Sequence, residues 1–302
     1  MQPETYKLGP IRSALFVPGN RPDRVDKAVA TAADRVIIDL EDAVALSQKE
    51  ESRPLVREKI IAHKDRGVLV RVNGLETEFI MGDLKAVVRN GLGGLVLPKT
   101  ENNRQVGKIH GLLVDFEKQQ GLQAGSIAVV LLVESALGVQ NIFQISTAAT
   151  ELNREFLIAL GAADFALDMG IEITRDGREL IYPRSRIALA CRAAGIAPPL
   201  DTPFMIDLKD IDALKDDAAR AKQVGFQGKL CIHPNQIEPV HVIFTPTAEE
   251  ISFAHRVVEA FEAGEAEGSA AIQVDGKFVD YPVVERSRRI LQLASMIGEI
   301  HS

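Results

Sequence analysis

The sequence predicts an α/β fold, a (β/α)8 TIM barrel, followed by a C-terminal helical lid extension. Short aliphatic runs alternate with amphipathic stretches of helix length, which is the pattern of strands that are each followed by a helix. Charged residues recur at the ends of these runs, and no G-x-G-x-x-G motif follows the first run. Both observations favour the barrel over an open doubly wound sheet, which is the rival architecture.

The elements follow in order from the aliphatic runs and the amphipathic stretches between them. The eight predicted strands are residues 13–17, 35–40, 68–72, 94–98, 127–133, 155–160, 198–200 and 228–232, of which the seventh is weak. The predicted helices between them are residues 24–33, 55–63, 82–90, 103–119, 179–195 and 208–225.

A different region begins after the eighth strand, and we place the boundary near residue 240. Residues 1–240 are predicted to form the catalytic barrel, and residues 241–302 a helical lid and oligomerisation segment. A long helix is predicted to start at Thr247. A tight turn with a short β-like pair around Asp275 and Gly276 separates it from another helix.

The composition excludes several classes of protein. With 302 residues and 46% hydrophobic content, the chain can bury a large core, so disorder is excluded. A net charge of -7 argues against nucleic acid, whose binding needs a basic footprint. The longest apolar run, residues 127–133, is too short to cross a membrane. The opening segment, MQPETYKLGP, lacks targeting features. Together with Cys191 and Cys231, which we expect to be reduced, these features predict a cytoplasmic protein.

Two carboxylates stand where buried strands end. Glu134 closes the run IAVVLLVE and Asp164 closes FLIALGAAD, so a parallel sheet would bring them side by side. An acid beside a buried strand is costly unless a cation or a hydrogen-bond donor compensates it. Two carboxylates completed by water and substrate oxygens suit Mg²⁺ better than Zn²⁺. The alternative is that each acid caps the helix that follows it.

Arg71, at the end of the third strand, is the predicted contact for a substrate carboxylate, because its guanidinium can bind a carboxylate through two hydrogen bonds. The alternative is a structural ion pair with Asp39, Glu41 and Asp42 at the end of the second strand. Both are compatible, since these acids can orient Arg71 or hydrogen-bond a metal-bound water. A separate group of cations is expected to face an anion near the first loop. Its members are Arg12, Arg21, Arg24 and Lys27.

Two further residues at strand ends suggest other chemistry. Lys99, after the fourth strand, could form a Schiff base with a carbonyl substrate, but such an enzyme needs no metal and would leave the acid pair without a role. His233, after the eighth strand, could be a base, although a hydrogen-bonded wall residue is the expectation. The glycines of GFQGK, residues 225–229, are explained by a helix end and a tight turn.

Taken together, the motifs resemble a known family. They are RSALFVPGN, VIIDLEDAV, VRVNG, LVLPK, LLVESALG, LGAADFALDMG, GKLCIHPNQ and DGKFVDYPVVERSRRIL. In this order they are similar to the citrate lyase β-subunit-like and malyl-CoA lyase branch of the HpcH/HpaI aldolase family. The resemblance runs from Arg12 to about Leu291, nearly the whole chain.

The resemblance implies a TIM barrel that holds Mg²⁺ on Glu134 and Asp164, with Arg71 on a substrate carboxylate or oxo-acid group. In this family a coenzyme A thioester approaches across the first loop. The residues that match substrate-binding positions are Phe16, Arg21, Lys27, Arg71, Glu134, Ala163 and Asp164.

The resemblance also implies a homotrimer or hexamer in which the C-terminal segment of one subunit covers a neighbour's barrel mouth. An aspartate in that segment completes the site, and Asp280 matches it. Asp280 would protonate the enolate carbon after cleavage, or remove that proton during condensation. Its alternative role is to cap the helix that starts at Tyr281.

The predicted function is a Mg²⁺-dependent carbon-carbon lyase in which Asp280, Arg71 and Glu134 are catalytic. It would cleave a 3-hydroxyacyl-CoA thioester of the citryl, malyl or citramalyl type to acetyl-CoA and a 2-oxo acid. Three alternatives stay open: a malyl-CoA thioesterase, a metal-dependent aldolase on free hydroxy-oxo acids, and a non-catalytic acyl-CoA-binding subunit. An acyl carrier protein is a further possible carrier of the thioester.

Overall fold

The computed structural model describes residues 8–300, with side chains to residue 298. The chain divides after Phe244 into two compact units, and each is described by itself below. Most of the opening segment used to predict the absence of a targeting sequence, residues 1–7, lies outside the described residues.

The first unit is a closed barrel of eight parallel strands in sequential order, which confirms the predicted fold class. Neighbouring strands pair in parallel register throughout, and Ser13 beside Lys229 closes the ring between the first and last strands. The strands are β1 Ser13–Pro18, β2 Arg35–Asp39, β3 Leu69–Arg71, β4 Gly94–Leu97, β5 Ala128–Val133, β6 Phe156–Leu160, β7 Leu200–Asp201 and β8 Gly228–Cys231.

Helices surround the barrel. They are α1 Pro22–Val29, α2 Lys49–Ala62, α3 Ile80–Val87, α4 Asn103–Gln119, α5 Ala136–Gln140, α6 Ile142–Thr150, α7 Ala162–Met169, α8 Ile181–Ala194, α9 Ile211–Gln223 and α10 Ile237–Phe244. The bounds of α4 agree with the prediction because Asn102 and Gln105 form a reciprocal capping box at its start. The helices α5, α6, α7 and α10 were not in the predicted set.

Apolar side chains cover both faces of the barrel strands. One buried cluster contains strand residues such as Ile37, Val96, Val130 and Leu157. Leu15, Ile38 and Leu131 belong to the larger cluster that packs with the helices. Because parallel strands buried on both faces need continuous apolar runs, polar residues are displaced to the strand ends, where the loops begin.

The strand β7 is the weakest of the barrel. It has only two residues, and it pairs with β6 through Ala159 and Leu200 alone. Its second residue, Asp201, is fully buried and forms ion pairs with Arg184 and Lys229. Charged side chains therefore supplement the few ladder hydrogen bonds at this place in the barrel.

The second unit consists of two helices that flank a hairpin. They are α11 Ala248–Ala266, β9 Ile272–Val274, β10 Lys277–Val279 and α12 Tyr281–Ile300. Asp275 and Gly276 both have positive φ angles, 50° and 76°, as a two-residue type I′ turn requires. Val257, Phe261 and Val279 belong to a separate core of this unit. In the part of the chain that the structure describes, no helix has the length and apolarity to span a membrane.

Candidate functional site

The acids that were predicted as site residues lie at or just beyond the carboxyl ends of the barrel strands. Asp39 is the last residue of β2, and Glu134 directly follows β5. Asp164 is the third residue of α7, in the loop-to-helix segment after β6. Since β5 and β6 pair side by side from Val129 to Val133, Glu134 and Asp164 follow adjacent strands.

Arg71 forms ion pairs with the acids that follow β2. Its Nε donates to Asp39 Oδ1 at 2.8 Å and its Nη2 to Asp39 Oδ2 at 2.6 Å. Its Nη1 lies 3.0 Å from Glu41 Oε2 and 3.6 Å from Asp42 Oδ2. The guanidinium also lies over the Phe16 ring, 5.0 Å from its centroid. The expected ion pairs are therefore present. A substrate contact through Nη1 stays a prediction, in which Asp39 orients the guanidinium.

Lys99 links the acids of β2 to the end of β5. Its Nζ donates to Glu41 Oε1 at 2.9 Å, and its backbone N–H donates to Glu134 Oε2 at 2.9 Å. Partial burial works to lower the pKa of Lys99, but the hydrogen bond to Glu41 and the charges of Glu41, Asp42 and Asp164 outweigh it and raise the pKa. A Schiff-base lysine needs a lowered pKa, so this arrangement counts against imine chemistry.

Glu134 is a buried carboxylate, only 5% exposed. Its carboxyl group lies against Gly161, where a Cβ would come within 2.6 Å of Oε1 and 2.5 Å of Cγ, so only glycine leaves room for it. Burial raises the pKa of Glu134 to about 8. The Lys99 N–H and Arg71 work against this shift, while Glu41 and Asp164 reinforce it. Asp164 is therefore close enough to influence the ionisation of Glu134.

Neither acid caps the helix that follows it. The cap of α5 is Ser135, whose hydroxyl accepts from Gly138 N, and α7 begins after Gly161 without a side-chain cap. Asp164 lies within the first turn of α7, and Ala163 beside it is exposed. The capping alternative for Glu134 and Asp164 is therefore wrong.

The charges around Arg71 and Glu134 are unbalanced. Among the described side chains that pair with Arg71 or Lys99, or that act on the pKa of Glu134, carboxylates outnumber cations five to two; they are Asp39, Glu41, Asp42, Glu134 and Asp164 against Arg71 and Lys99. Among residues 8–298, whose side chains are described, no basic nitrogen lies within 4.0 Å of the Glu134 or Asp164 carboxylate. A divalent cation would supply the missing positive charge and would favour the ionised form of Glu134.

The donor set fits Mg²⁺. No group of three or more His, Cys, Asp or Glu side chains suited to a metal occurs in the described residues, so protein ligation would come from two carboxylates. Mg²⁺ commonly takes one or two carboxylates and completes its octahedron with water and substrate oxygens. Glu134 and Asp164 are the residues that could hold it.

The predicted cation group at the first loop is only partly correct. Arg21 and Arg24 are exposed at the start of α1, directly after the carboxyl end of β1, and Lys27 is exposed in the last turn of that helix. Arg12, by contrast, precedes β1 at the opposite end of the strand, where it is buried and its Nη2 lies 2.7 Å from Asp34 Oδ1. The prediction for Arg12 was wrong because β1 lies between Arg12 and the other three cations, so residues that are close in sequence lie at opposite ends of the strand.

Asp280 and His233 both cap helical turns. Asp280 directly precedes α12, and its Oδ1 accepts from Val283 N at 3.4 Å. His233 precedes a 3₁₀ turn, Pro234–Gln236, and its Nδ1 accepts from Asn235 N at 3.2 Å. The capping role of Asp280 is therefore present, and its catalytic role stays a prediction.

Four buried charges around the end of β7 and the start of β8 escaped the sequence analysis. Lys229 and Arg184 both contact Asp201 and Asp217. Burial works to raise the pKa of Asp217, but the charges of Lys229 and Arg184 lower it to about 2. The motif GFQGK could have revealed this network, because its lysine, Lys229, lies inside the eighth predicted strand. A charged residue inside a buried strand needs a partner.

The raised pKa of Glu134 predicts a pH effect on stability in metal-free buffer. An acid whose pKa is higher in the folded state than in the unfolded chain binds its proton more tightly when folded. The unfolding free energy therefore falls as pH rises from about 4.5 to about 8. Chemical denaturation with a chelator, at several pH values, should show wild type losing stability relative to Glu134→Gln across this window. Parallel curves would contradict the raised pKa.

Comparisons with known proteins identify relatives of this chain. The family model of HpcH/HpaI aldolase/citrate lyase matches residues 12–234. The citrate lyase subunit beta of Leuconostoc mesenteroides subsp. cremoris is 40% identical over 286 residues, covering 94% of this chain and 93% of that protein. The L-malyl-CoA/beta-methylmalyl-CoA lyase of Cereibacter sphaeroides (strain ATCC 17025 / ATH 2.4.3) is 31% identical over 311 residues, covering 96% of each.

Solved structures show the same likeness. The protein CitE from Mycobacterium tuberculosis, crystallised with magnesium, acetoacetate and coenzyme A, has a TM-score of 0.76 at 31% identity, and the match covers 96% of this chain and 99% of that one. The two relatives compared above are lyases, which confirms the predicted enzyme class. The chain belongs to the HpcH/HpaI aldolase/citrate lyase family.

Proposed function

We propose that this protein is a Mg²⁺-dependent carbon-carbon lyase. It cleaves a 3-hydroxyacyl-CoA thioester of the citryl, malyl or citramalyl type to acetyl-CoA and a 2-oxo acid. The observation that carries the proposal is the pair Glu134 and Asp164, two carboxylates without a basic partner among the described side chains, beside an arginine that other acids orient. The relatives named citrate lyase subunit beta and malyl-CoA lyase, and the CitE complex with magnesium and coenzyme A, support it.

The reaction breaks the bond between the second and third carbons of the acyl chain. The hydroxyl proton passes to solvent, the electrons of the bond pass into the thioester carbonyl as an enolate, and the enolate carbon then gains a proton. Mg²⁺, when bound, supplies a Lewis acid that stabilises negative charge on the oxygens of the oxo acid. Glu134 and Asp164 would hold the metal.

The other residues bind the substrate. Arg71 has its Nε and Nη2 fixed on Asp39, and its Nη1, which lies 3.0 Å from Glu41 Oε2, would exchange that ion pair for a substrate carboxylate. Three residues contact the thioester and nucleotide parts of coenzyme A: Phe16 in β1, Arg21 just before α1 and Lys27 in the last turn of α1. The exposed cations Arg21 and Lys27 suit its phosphates. Ala163 contacts the oxo acid beside Asp164.

Asp280 is proposed as the group that protonates the enolate carbon, and that removes the proton when the reaction runs as a condensation. Its supply by a neighbouring subunit, in a homotrimer or hexamer, stays a prediction from the family resemblance. The cytoplasmic location and a possible acyl carrier protein substrate also stay predictions from the sequence.

A panel of thioesters tests the proposal. Purified protein is incubated with Mg²⁺ and citryl-, malyl- or citramalyl-CoA, and acetyl-CoA, oxo acid and free thiol are measured together. We expect equal amounts of acetyl-CoA and oxo acid from at least one thioester, and none after chelation. Free thiol without oxo acid would show a thioesterase instead. Turnover of free hydroxy-oxo acids alone would show an aldolase. No turnover of any thioester, including acyl carrier protein thioesters, would overturn the lyase.

A further inference from the structure

Thr202 connects β7 to the helix that carries Asp164. It directly follows β7 and is 2% exposed. Its Oγ1 accepts a hydrogen bond from the backbone N–H of Ala162, the first residue of α7, at 3.0 Å. That N–H belongs to the first turn of the helix, whose donors have no partner within the helix. Thr202 therefore holds the start of α7 from the side of β7.

A second hydrogen bond holds the same segment from the other side. The N–H of Gly161 donates to Val133 O, at the end of β5, at 2.9 Å. Glu134 follows Val133, and its side chain lies against Gly161. The short segment from Gly161 to Asp164 is thus bonded to the end of β5 through the Gly161 N–H, and to the residue after β7 through the Ala162 N–H. These two bonds set the position of Asp164 relative to Glu134.

The anchor on the β7 side belongs to a buried ion-pair network. Asp201, the residue before Thr202, accepts from Arg184 Nε at 2.8 Å and from Arg184 Nη2 at 2.9 Å. Lys229, which is 0% exposed, donates to both Asp201 and Asp217. Breaking one member of such a buried network leaves an uncompensated charge. The network therefore fixes the end of β7, although the strand itself has only two residues.

We propose that Thr202 is a positioning residue for the metal ligand Asp164. Its hydroxyl holds the first N–H of α7, and thereby keeps Asp164 at the distance from Glu134 that a shared Mg²⁺ requires. This inference rests on the proposed function, because it presumes that the two acids bind the metal. Nothing in it requires Thr202 to touch metal or substrate.

A purely structural role would give a different result. If Thr202 only satisfies a buried N–H, its removal lowers the melting temperature and leaves metal affinity unchanged. If Thr202 positions Asp164, its removal weakens Mg²⁺ binding in protein that remains folded. Groups that orient metal ligands typically change metal affinity by about 10- to 100-fold when they are mutated.

The experiment compares Thr202→Val, which removes the hydroxyl at nearly constant shape, with Thr202→Ser, which keeps it. Thr202→Ala serves if the valine variant does not fold, because the smaller side chain leaves space for a water on the Ala162 N–H. Thr31→Val is the matched control: the Thr31 hydroxyl also accepts a backbone N–H, that of Ala33 at 3.3 Å, but lies before β2, at the opposite end of the barrel. Mg²⁺ affinity is measured by calorimetry without substrate, and lyase activity as a function of Mg²⁺.

We expect Thr202→Val to weaken Mg²⁺ binding by about 10-fold or more, with kcat recovering at saturating Mg²⁺. Thr202→Ser and Thr31→Val should stay close to wild type. Wild-type Mg²⁺ affinity in folded Thr202→Val or Thr202→Ala would overturn the positioning role while leaving the proposed function in place. Absence of Mg²⁺ binding by the wild-type protein would overturn the proposed function, and this inference with it.

Discussion

Replacing Glu134 by glutamine is expected to abolish Mg²⁺ binding and to lower lyase activity while the barrel stays folded. The amide oxygen of glutamine can still accept the hydrogen bond from Lys99 N, and the substitution removes a buried carboxylate whose pKa is raised to about 8. Stability in metal-free buffer should therefore be equal to that of wild type or higher. Activity should fall by at least about 10²- to 10³-fold, the effect of losing one group that stabilises developing charge.

Calorimetric titration with Mg²⁺ and the coupled assay of acetyl-CoA and oxo acid measure the two effects. Glu76→Gln is the control, since Glu76 is an exposed acid that pairs with Lys108 after β3. Mg²⁺ affinity that survived in Glu134→Gln would contradict the assignment of Glu134 as a metal ligand.

Replacing Asp280 by asparagine is expected to separate its two roles. Asparagine caps a helix as well as aspartate does, so α12 and the melting temperature should be preserved. Loss of the acid should lower turnover by about 10²- to 10⁴-fold, the usual contribution of general acid-base catalysis. Mg²⁺ affinity should not change, because the proposed metal ligands are Glu134 and Asp164. Thermal unfolding, calorimetry and the same assay measure the three quantities.

Asp275→Asn is the matched control for this variant. It makes the same substitution five positions earlier, where asparagine tolerates the positive φ angle of the hairpin turn. Its activity should equal that of wild type. Unchanged turnover in Asp280→Asn would leave capping of α12 as the only role of Asp280.

The eight strands were predictable because a strand buried on both faces needs an unbroken apolar run. The run that contains β5 is one example, and even the weak run at 198–200 marks the place of β7. The helices α5, α6 and α7 escaped prediction because they are short and about half of their buried positions hold small residues, such as Gly138, Ser146 and Ala162. Such residues produce little contrast between buried and exposed positions.

The candidate site divides in the same way. Glu134 and Asp164 were recognisable because strand ends place polar residues at one edge of a parallel barrel. The raised pKa of Glu134 could not be predicted from the sequence. It depends on how completely the fold buries the side chain and on the charges of distant residues such as Glu41, 93 positions away in sequence. The prediction for Arg12 failed for the opposite reason: Arg12 and Arg21 are close in sequence, but they lie at opposite ends of β1.

The sequence by itself determined the barrel, the family and the acids at the strand ends, because each depends on local runs of residues and on their order. Only the tertiary structure decided which charged and hydrogen-bonding groups pair with one another. Arg71 pairs with Asp39 across neighbouring strands, Lys99 bridges Glu41 and Glu134, and Thr202 reaches Ala162 across 40 positions. Hydrogen bonds and charge pairs depend on distances of a few ångströms, and packing sets those distances.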